Sequence, residues 1–450
     1  MTPAARLQAA IALLDLLEAD RFRQPADAVL AGWFRRRRYA GGGDRRAIGD
    51  RVFDMLRHRG RLRAALEAAG APQPDGRAVA LAHLLLVEGT EDAAAAFAAG
   101  GYGPAPLTED ERALAGRLAA LRPGPPDSWT SSLPDWARRE HPAWMAPHLA
   151  HRFGDSIDAE MAALARPAPV DLRVNTLKAD RATALAALAA DGIEAAPTPL
   201  ARTGLRLAGR ADLRSAGAFR DGLVDVQDES SQVCAALVDA APGTAVCDFC
   251  AGAGGKTLAL GAAMAGRGRL VACDADAGRL SRMAARRARA GLGGVEAVAL
   301  DGDNAWIAAN AGLFDRVLVD APCGGSGTWR RAPETRWRRA DEAADDAGGP
   351  AALAAMAATQ SAILARAAAL VRPGGRLVYA TCSLLPPENE GVVDGFLAAA
   401  PDFRPLDPVP IWSERVDGPC PSSDTFILMS PYRTGTDGFF VAILERARDA

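Results

Sequence analysis

Two cysteines stand where a short apolar run gives way to a loop. Cys382 lies in GRLVYATCSLLPPENE, where Leu377, Val378 and Tyr379 read as a buried strand and Pro386 and Pro387 forbid an immediate helix. Cys323 lies in DAPCGGSG, after the apolar run that ends at Val319. A lone cysteine is commonly a small buried hydrophobe. Two at strand ends, the edge where open α/β sheets bind ligands, point to chemistry. The five histidines, at 58, 83, 141, 148 and 151, all precede both thiols, which excludes Ser-His-Asp catalysis from the larger part of the chain. A thiolate without imidazole can still add to carbon 6 of a pyrimidine. That makes carbon 5 enamine-like and able to attack an activated methyl group, after which a second thiol or a carboxylate can help the carbon 5 proton leave. A thiol of ordinary pKa, about 8.5, needs nearby positive charge or a helix end to ionise. Arg330, Arg331, Arg336, Arg338 and Arg339 follow Cys323 and are expected to supply it, with Trp329 and Trp337 beside them to stack on bases and the arginines to meet phosphates.

A second constellation is shaped for a nucleoside. A strand ending Asp248-Phe249-Cys250 runs into Ala251, Gly252, Ala253, Gly254, Gly255, Lys256 and Thr257. Its glycines permit close backbone approach, and the helix that follows offers free N–H groups. The spacing is neither a Walker A loop nor a good dinucleotide fingerprint. A further strand ends at Asp274, an acid placed to hold a ribose diol, although an ordinary helix N-cap is the plainer reading. The next edge, Asp301-Gly302-Asp303-Asn304, could accept from an adenine amino group.

These residues require a sheet to carry them. Strand patterns at 245–249, 269–273, 296–300, 316–319, 376–381, 426–429 and 438–444 alternate with helical patterns at 256–265, 277–290 and 359–370. The rhythm predicts an α/β fold, a Rossmann-like doubly wound, mostly parallel sheet over 241–450. An α+β segment at 136–240 precedes and packs on it, with strand patterns at 170–177 and 205–207 and a strand entering a helix at 222–232. Residues 1–125 read as an all-α domain, with Leu7, Ile11, Leu14 and Leu17 on one apolar face and Ile48, Val52, Met55 and Leu56 on another. The Pro- and Ser-rich stretch 122–135 reads as a linker. Between Arg21 and Arg63 thirteen arginines face four acids on a chain of net charge −3, and Arg35–Arg38 lie beside Trp33, Phe34 and Tyr39. Such a patch is either a nucleic-acid footprint or a solvated helical face.

Composition narrows the setting. Seven cysteines, an odd and scattered set, fit buried or catalytic thiols in a reducing compartment. Cys247 and Cys250 lack the downstream partners of a zinc site, so no metal is assigned. No unbroken apolar run approaches eighteen residues and 1–24 lacks a signal-peptide pattern; a cytoplasmic monomer without a membrane partner is expected. Lysine occurs only at 178 and 256 against fifty arginines, which marks both as positions where a compact ammonium could matter.

At LRVNTLK (172–178), VQDESSQ (226–232), CAGAGGKT (250–257), DAPCGGSG (320–327), YATCS (379–383) and DGFF (437–440), in that order, the chain resembles the Sun/RsmB-type family of S-adenosylmethionine-dependent RNA 5-methylcytosine methyltransferases. The resemblance implies that Cys250, Ala251, Gly252, Ala253, Gly254, Gly255 and Lys256 cradle the methionine part of S-adenosyl-L-methionine. It implies that Asp274 holds the ribose and Asp303 the adenine, with Asp301 as the substitute, and that Asp320 lies near the methyl donor. Cys382 is then the nucleophile, and Cys323 assists release of the methylated base. Where the family's loop reads CAAPGGKT, Gly252 and Ala253 stand here, which implies an adjusted affinity for the cofactor. The N-terminal region is similar to the NusB-like domain of ribosomal members, chiefly around 45–66, and implies 16S-type ribosomal RNA as substrate. The competing readings are the same chemistry on tRNA or another RNA, attack on DNA by Cys323, and a non-catalytic RNA-binding protein.

Overall fold

The computed structural model describes every residue except 98–100, 123–127, 301, 303–304, 339–348, 423–424 and 449–450. The chain forms two compact units, Met1–Pro167 with Trp329–Ala352, and Ala168–Thr328 with Leu353–Ala450. Residues 136–167 thus join the helices that precede them, where the sequence groups them with the strands that follow.

The first unit is helical. Helix Pro3–Ala19 starts where the Thr2 hydroxyl accepts from the Ala5 amide, and it buries Leu7, Ile11, Leu14 and Leu17. Helix Gly42–Arg57 buries Ile48, Val52, Met55 and Leu56. Both apolar faces are the ones read from the sequence. Arg35, Arg36, Arg38, Arg45 and Arg46 are exposed, while the Arg37 guanidinium stacks 4.0 Å above the buried Trp33 ring. The rest of the basic run is partly structural. Arg59 is buried and makes a two-pronged ion pair with Glu18 at 2.7 and 2.8 Å.

Most of the stretch expected to offer arginines and tryptophans to RNA turns inward, Arg331 alone among its described arginines being exposed. Trp329, Arg330, Arg336 and Trp337 are all buried in this helical unit. Trp337 belongs to the same apolar core as Leu13, Leu62 and Leu66. The Arg336 guanidinium donates to the carbonyls of Leu164 at 2.6 Å and Glu140 at 3.3 Å, and Arg338 donates to the Phe22 carbonyl at 2.8 Å. The Glu334 carboxylate accepts from the Ala26 amide at 3.0 Å. Packing at Trp337 is close enough that a Cβ on Gly60 would lie 2.9 Å from its ring. Arg336 and Arg338 are committed to main-chain carbonyls 172 to 316 residues away in sequence, a use that local composition does not reveal. Arg339 lies outside the described residues.

The second unit carries two sheets. The smaller is antiparallel, with strands β1 (Asp171–Val174), β2 (Ala195–Pro197), β3 (Gly204–Leu207) and β4 (Val224–Val226) in the order β2-β3-β1-β4. The larger contains β5 (Ala245–Asp248), β6 (Arg269–Asp274), β7 (Val295–Ala299), β8 (Phe314–Asp320), β9 (Val371–Thr381), β10 (Phe403–Pro405), β11 (Phe426–Met429) and β12 (Phe439–Arg446). Its order is β10-β12-β9-β8-β5-β6-β7, with β11 on β12. Strands β5 to β9 pair in parallel and the β12 pairings are antiparallel. This is the Rossmann-like arrangement expected, and the order reverses between β5 and β8, the switch point at which such sheets bind ligands.

Motifs that look chemical in the sequence also join these two sheets. Asn175 donates to the Gly222 and Ala290 carbonyls, and Lys178 donates to those of Asp221 and Arg289 at 2.7 and 2.8 Å. Arg286 and Arg289, from helix Ala277–Ala290, grip the two oxygens of Asp225 in β4. Helix Gly349–Ala368 begins ten residues before the helical pattern read at 359. It is long and apolar enough, by length and composition, to cross a membrane, yet its Gln360 is fully buried and hydrogen-bonded to the Pro322 carbonyl at 2.8 Å.

Because Trp337 is core, Trp337→Ala is expected to cost about 3–5 kcal/mol of stability. Denaturant titration checks this; unchanged stability with weakened RNA binding would return the tryptophan to a recognition role.

Candidate active site

The carboxyl ends of β5, β6, β8 and β9 deliver Asp248, Asp274, Asp320 and Cys382 to one edge of the sheet. The turn after β5 winds through Gly252 at φ +55° and Gly254 at φ +81°, left-handed positions that suit glycine, into helix Gly255–Ala263. A Cβ on Gly254 would sit 2.4 Å from the Met283 side chain, so packing adds to the conformational requirement. In place of a proline, two hydrogen bonds steady this turn: Gly252 N–H donates to Asp274 Oδ2 at 2.7 Å, and Arg286 donates to the Ala253 carbonyl at 3.0 Å. The other Asp274 oxygen accepts from the Asp276 amide at 2.9 Å. Asp274 therefore braces the turn.

Charge beneath the turn is tightly managed. Lys256 is buried, donates to Asp320 Oδ2 at 2.7 Å, and lies 4.7 Å from the centre of the Phe439 ring. Burial works against its charge, but the Asp320 carboxylate outweighs it and holds the ammonium above its ordinary pKa. Asp248 accepts from the Thr257 hydroxyl at 2.7 Å, while its Oδ1 is buried without a partner. Burial pushes its carboxyl up to about 7. Burial likewise raises the Cys250 thiol, so it stays protonated in the turn.

The two cysteine loops meet. Cys323 Sγ lies 3.3 Å from Cys382 Sγ, so both sulfurs face one point at the ends of β8 and β9. The hydrogen bond with Cys382, and then burial, raise the Cys323 thiol well above its ordinary pKa. Cys323 therefore holds its proton more firmly than an ordinary thiol. Backbone contacts fix both loops: Gly327 N–H donates to the Cys382 carbonyl at 2.9 Å, and Gly438 N–H donates to the Gly327 carbonyl at 2.8 Å. A Cβ on Gly327 would fall 2.1 Å from the Gly438 oxygen, which accounts for glycine at 327 in DAPCGGSG and at 438 in DGFF.

A buried carboxylate underlies the pair. Glu388, fully buried in the turn Pro386–Glu388, accepts from the Gly324 amide at 2.7 Å, from Gln360 Nε2 at 3.2 Å and from the Ser383 hydroxyl. Asn389 donates to the Ser383 carbonyl at 2.9 Å and accepts from Thr381, and Ser326 Oγ accepts from the Leu384 amide at 2.7 Å. The sequence reading used Pro386 and Pro387 only as helix breakers and gave no role to Glu388, Asn389 or Gln360. The signal was present as two adjacent polar residues, Glu388 and Asn389, directly after a proline pair. Asp303 and its substitute Asp301 lie outside the described residues.

Comparison with known proteins agrees with this geometry. The 16S rRNA methyltransferase RsmB/F family matches residues 235–445, and the RsmF/B-like ferredoxin-like domain matches 141–214. The ribosomal RNA small subunit methyltransferase B of Pseudomonas putida is 38% identical over 270 residues, 60% of each chain. The probable counterpart in Synechocystis sp. is 31% identical over 314 residues, 68% of this chain and 67% of that one. The chain belongs to the RsmB/F methyltransferase family. It spans about 60% of the Pseudomonas putida relative. Among solved structures, PH0851 aligns over 99% of both chains with a TM-score of 0.74 and 25% identity. A methyltransferase homologue from Pyrococcus horikoshii aligns over 69% of this chain and 97% of its own, with a TM-score of 0.57 and 26% identity. In RsmB/F terms, the family match at 235–445 contains the turn after β5, both cysteines and Glu388.

Asp248 gives this site a pH signature. Its folded pKa of about 7 exceeds the ordinary 3.8 of an aspartate, so the unfolded chain releases the proton first as pH rises. Its contribution to stability is complete below about pH 3.8 and is lost progressively up to about pH 7. Asp248→Asn is expected to flatten that part of the dependence of Tm on pH. Identical pH profiles for variant and wild type would place the ionised carboxylate in the fold.

Proposed function

We propose that this protein methylates carbon 5 of cytosine in small-subunit ribosomal RNA, using S-adenosyl-L-methionine and a covalent adduct on Cys382. The observation that carries the reading is the 3.3 Å approach of the Cys323 and Cys382 sulfurs beside the acid-lined edge of a methyltransferase sheet. The printed names of the relatives, ribosomal RNA small subunit methyltransferase B and 16S rRNA methyltransferase RsmB/F, support the substrate.

The turn after β5 fits a nucleoside cofactor. Its left-handed glycines leave the backbone open to close approach, and a helix amino end follows directly. Residues 250–256 would hold the methionine part, Asp274 the ribose, Asp303 or Asp301 the adenine, and Asp320 the region near the methyl group. When bound, S-adenosylmethionine supplies an electrophilic methyl group. The protein's own work is on the base. Cys382 adds as thiolate to carbon 6 and so transfers electron density to carbon 5. Cys323, held protonated by its neighbour, is placed to manage protons at this centre and to assist the final expulsion of Cys382. A base attacked in this way must leave its stack.

The exposed arginines 35, 36 and 38 of the helical unit offer phosphate contacts and carry the RNA-binding part of the proposal, together with its NusB-like character. The protein acts as a cytoplasmic monomer in this reading.

Cys382→Ala is expected to abolish methyl transfer and any protein–RNA adduct, whereas Cys323→Ala lets the adduct accumulate; denaturing gels with labelled RNA separate the two. An adduct trapped by Cys382→Ala instead would exchange the roles. Replacing Arg35, Arg36 and Arg38 with glutamine should weaken RNA binding and lower the slope of log K against log salt by up to about 0.9 per lost phosphate contact. An unchanged slope removes the patch from the interface. Mapping 5-methylcytosine in total RNA with and without the gene tests the substrate, and a mark lost from tRNA alone would redirect the reading.

A further inference from the structure

Outside the catalytic edge, the described residues hold a single group of three or more metal-ligating side chains close enough to share an ion: Asp54, His58 and His83. Asp54 lies in the last turn of helix Gly42–Arg57, His58 directly follows that helix, and His83 opens the wide turn His83–Val87 that continues helix Gly76–Ala82. Such wide helical turns recur at functional sites. One ligand atom from each of the three residues lies within 4.8 Å of the others.

The surroundings of His83 point to a cation. Its ring is 2% exposed and is held between two carboxylates, with Nε2 2.7 Å from Asp54 Oδ2 and Nδ1 3.3 Å from Glu88 Oε1. A neutral imidazole has one N–H, so it can satisfy only one of those carboxylates. A protonated ring would satisfy both, as would a neutral ring whose lone pair meets a cation shared with the facing acid. Arg51, 2.9 Å from Glu88 Oε1, holds Glu88 on the Nδ1 side. A carboxylate orienting one ring nitrogen while the other faces an acid is the second layer found around histidine-bound metals. His58 is the third residue of the group; its Nδ1 donates to the Asp54 carbonyl at 3.0 Å, which leaves the lone pair on Nε2. The Asp54 side chain is 42% exposed, which leaves it room to adjust and leaves a coordination position open to water.

We propose that Asp54, His58 and His83 bind one divalent transition-metal ion of the zinc class, with Glu88 orienting His83. Two imidazoles, one carboxylate and water give zinc four ligands at about 2.0–2.2 Å, a set that a hard ion such as magnesium does not favour. The ion clamps the end of helix Gly42–Arg57 to the turn after helix Gly76–Ala82. This site is independent of the methyl-transfer reading and lies in the unit that carries the exposed arginines.

The test uses the full chain, stripped by a chelator and dialysed against micromolar Zn2+, with metal content measured beside circular dichroism. Wild type is expected to take up one equivalent that Asp54→Asn and His83→Gln both lose, while Glu88→Gln weakens binding by about 10–100-fold. The seven cysteines are the competing ligands, so Co2+ is used as a second probe. Visible bands without a thiolate charge-transfer band, retained in the Cys323→Ser/Cys382→Ser protein, assign the ion to this cluster. No uptake by folded wild type, uptake undiminished in folded Asp54→Asn, or a thiolate-dominated Co2+ spectrum overturns the proposal.

Discussion

The geometry of the catalytic edge depends on one buried carboxylate. Glu388 accepts from the main chain of the Cys323 loop through Gly324, from the Cys382 loop through Ser383, and from Gln360 on the covering helix. A carboxylate with several donors in a dry setting is a stiff junction, because each donor left unpaired would carry a desolvation cost of about 1–3 kcal/mol. Two loops at the ends of separate strands are thereby held in one relation. Without such a tie, sulfurs on two glycine-rich loops would have no reason to stand 3.3 Å apart.

The same economy appears on the cofactor side. Asp274 closes the turn through Gly252, Lys256 answers Asp320, and Thr257 answers Asp248. Each of these three acids already has a protein donor, so this part of the edge is preorganised and its negative charge is shared out. Phe439, which opens β12, covers Lys256 and brings the antiparallel end of the sheet into the site.

Much of this was legible in the sequence because it was local. Alternating strand and helix patterns after residue 242 foretold the sheet, and glycine turns at strand ends placed Cys323, Cys382, Asp274 and Asp320 at one edge. Lysine scarcity was informative too, since both lysines are committed, Lys178 to two carbonyls and Lys256 to Asp320. What could not be read was tertiary. Trp337 and Arg336 look like an RNA surface until their partners appear, and those partners, Gly60, Glu140 and Leu164, are far away in sequence. Glu388 was missed for the same reason, because an acid in a loop gives no sign that three donors converge on it. The cluster at Asp54, His58 and His83 likewise depends on a turn geometry that periodicity does not encode.

The burial of Trp337 among the N-terminal helices has a consequence for how the molecule is made. A ribosome delivers the first 167 residues long before residue 329, so the helical unit emerges without the side chains that complete its core. It must hold an incomplete interior while β1 to β8 are synthesised, and it finishes only when the chain returns. Contacts of such long sequence separation are slow to form. The last piece of the first unit is thus a latecomer encoded inside the second, and a truncation that keeps only the N-terminal residues removes part of their own core.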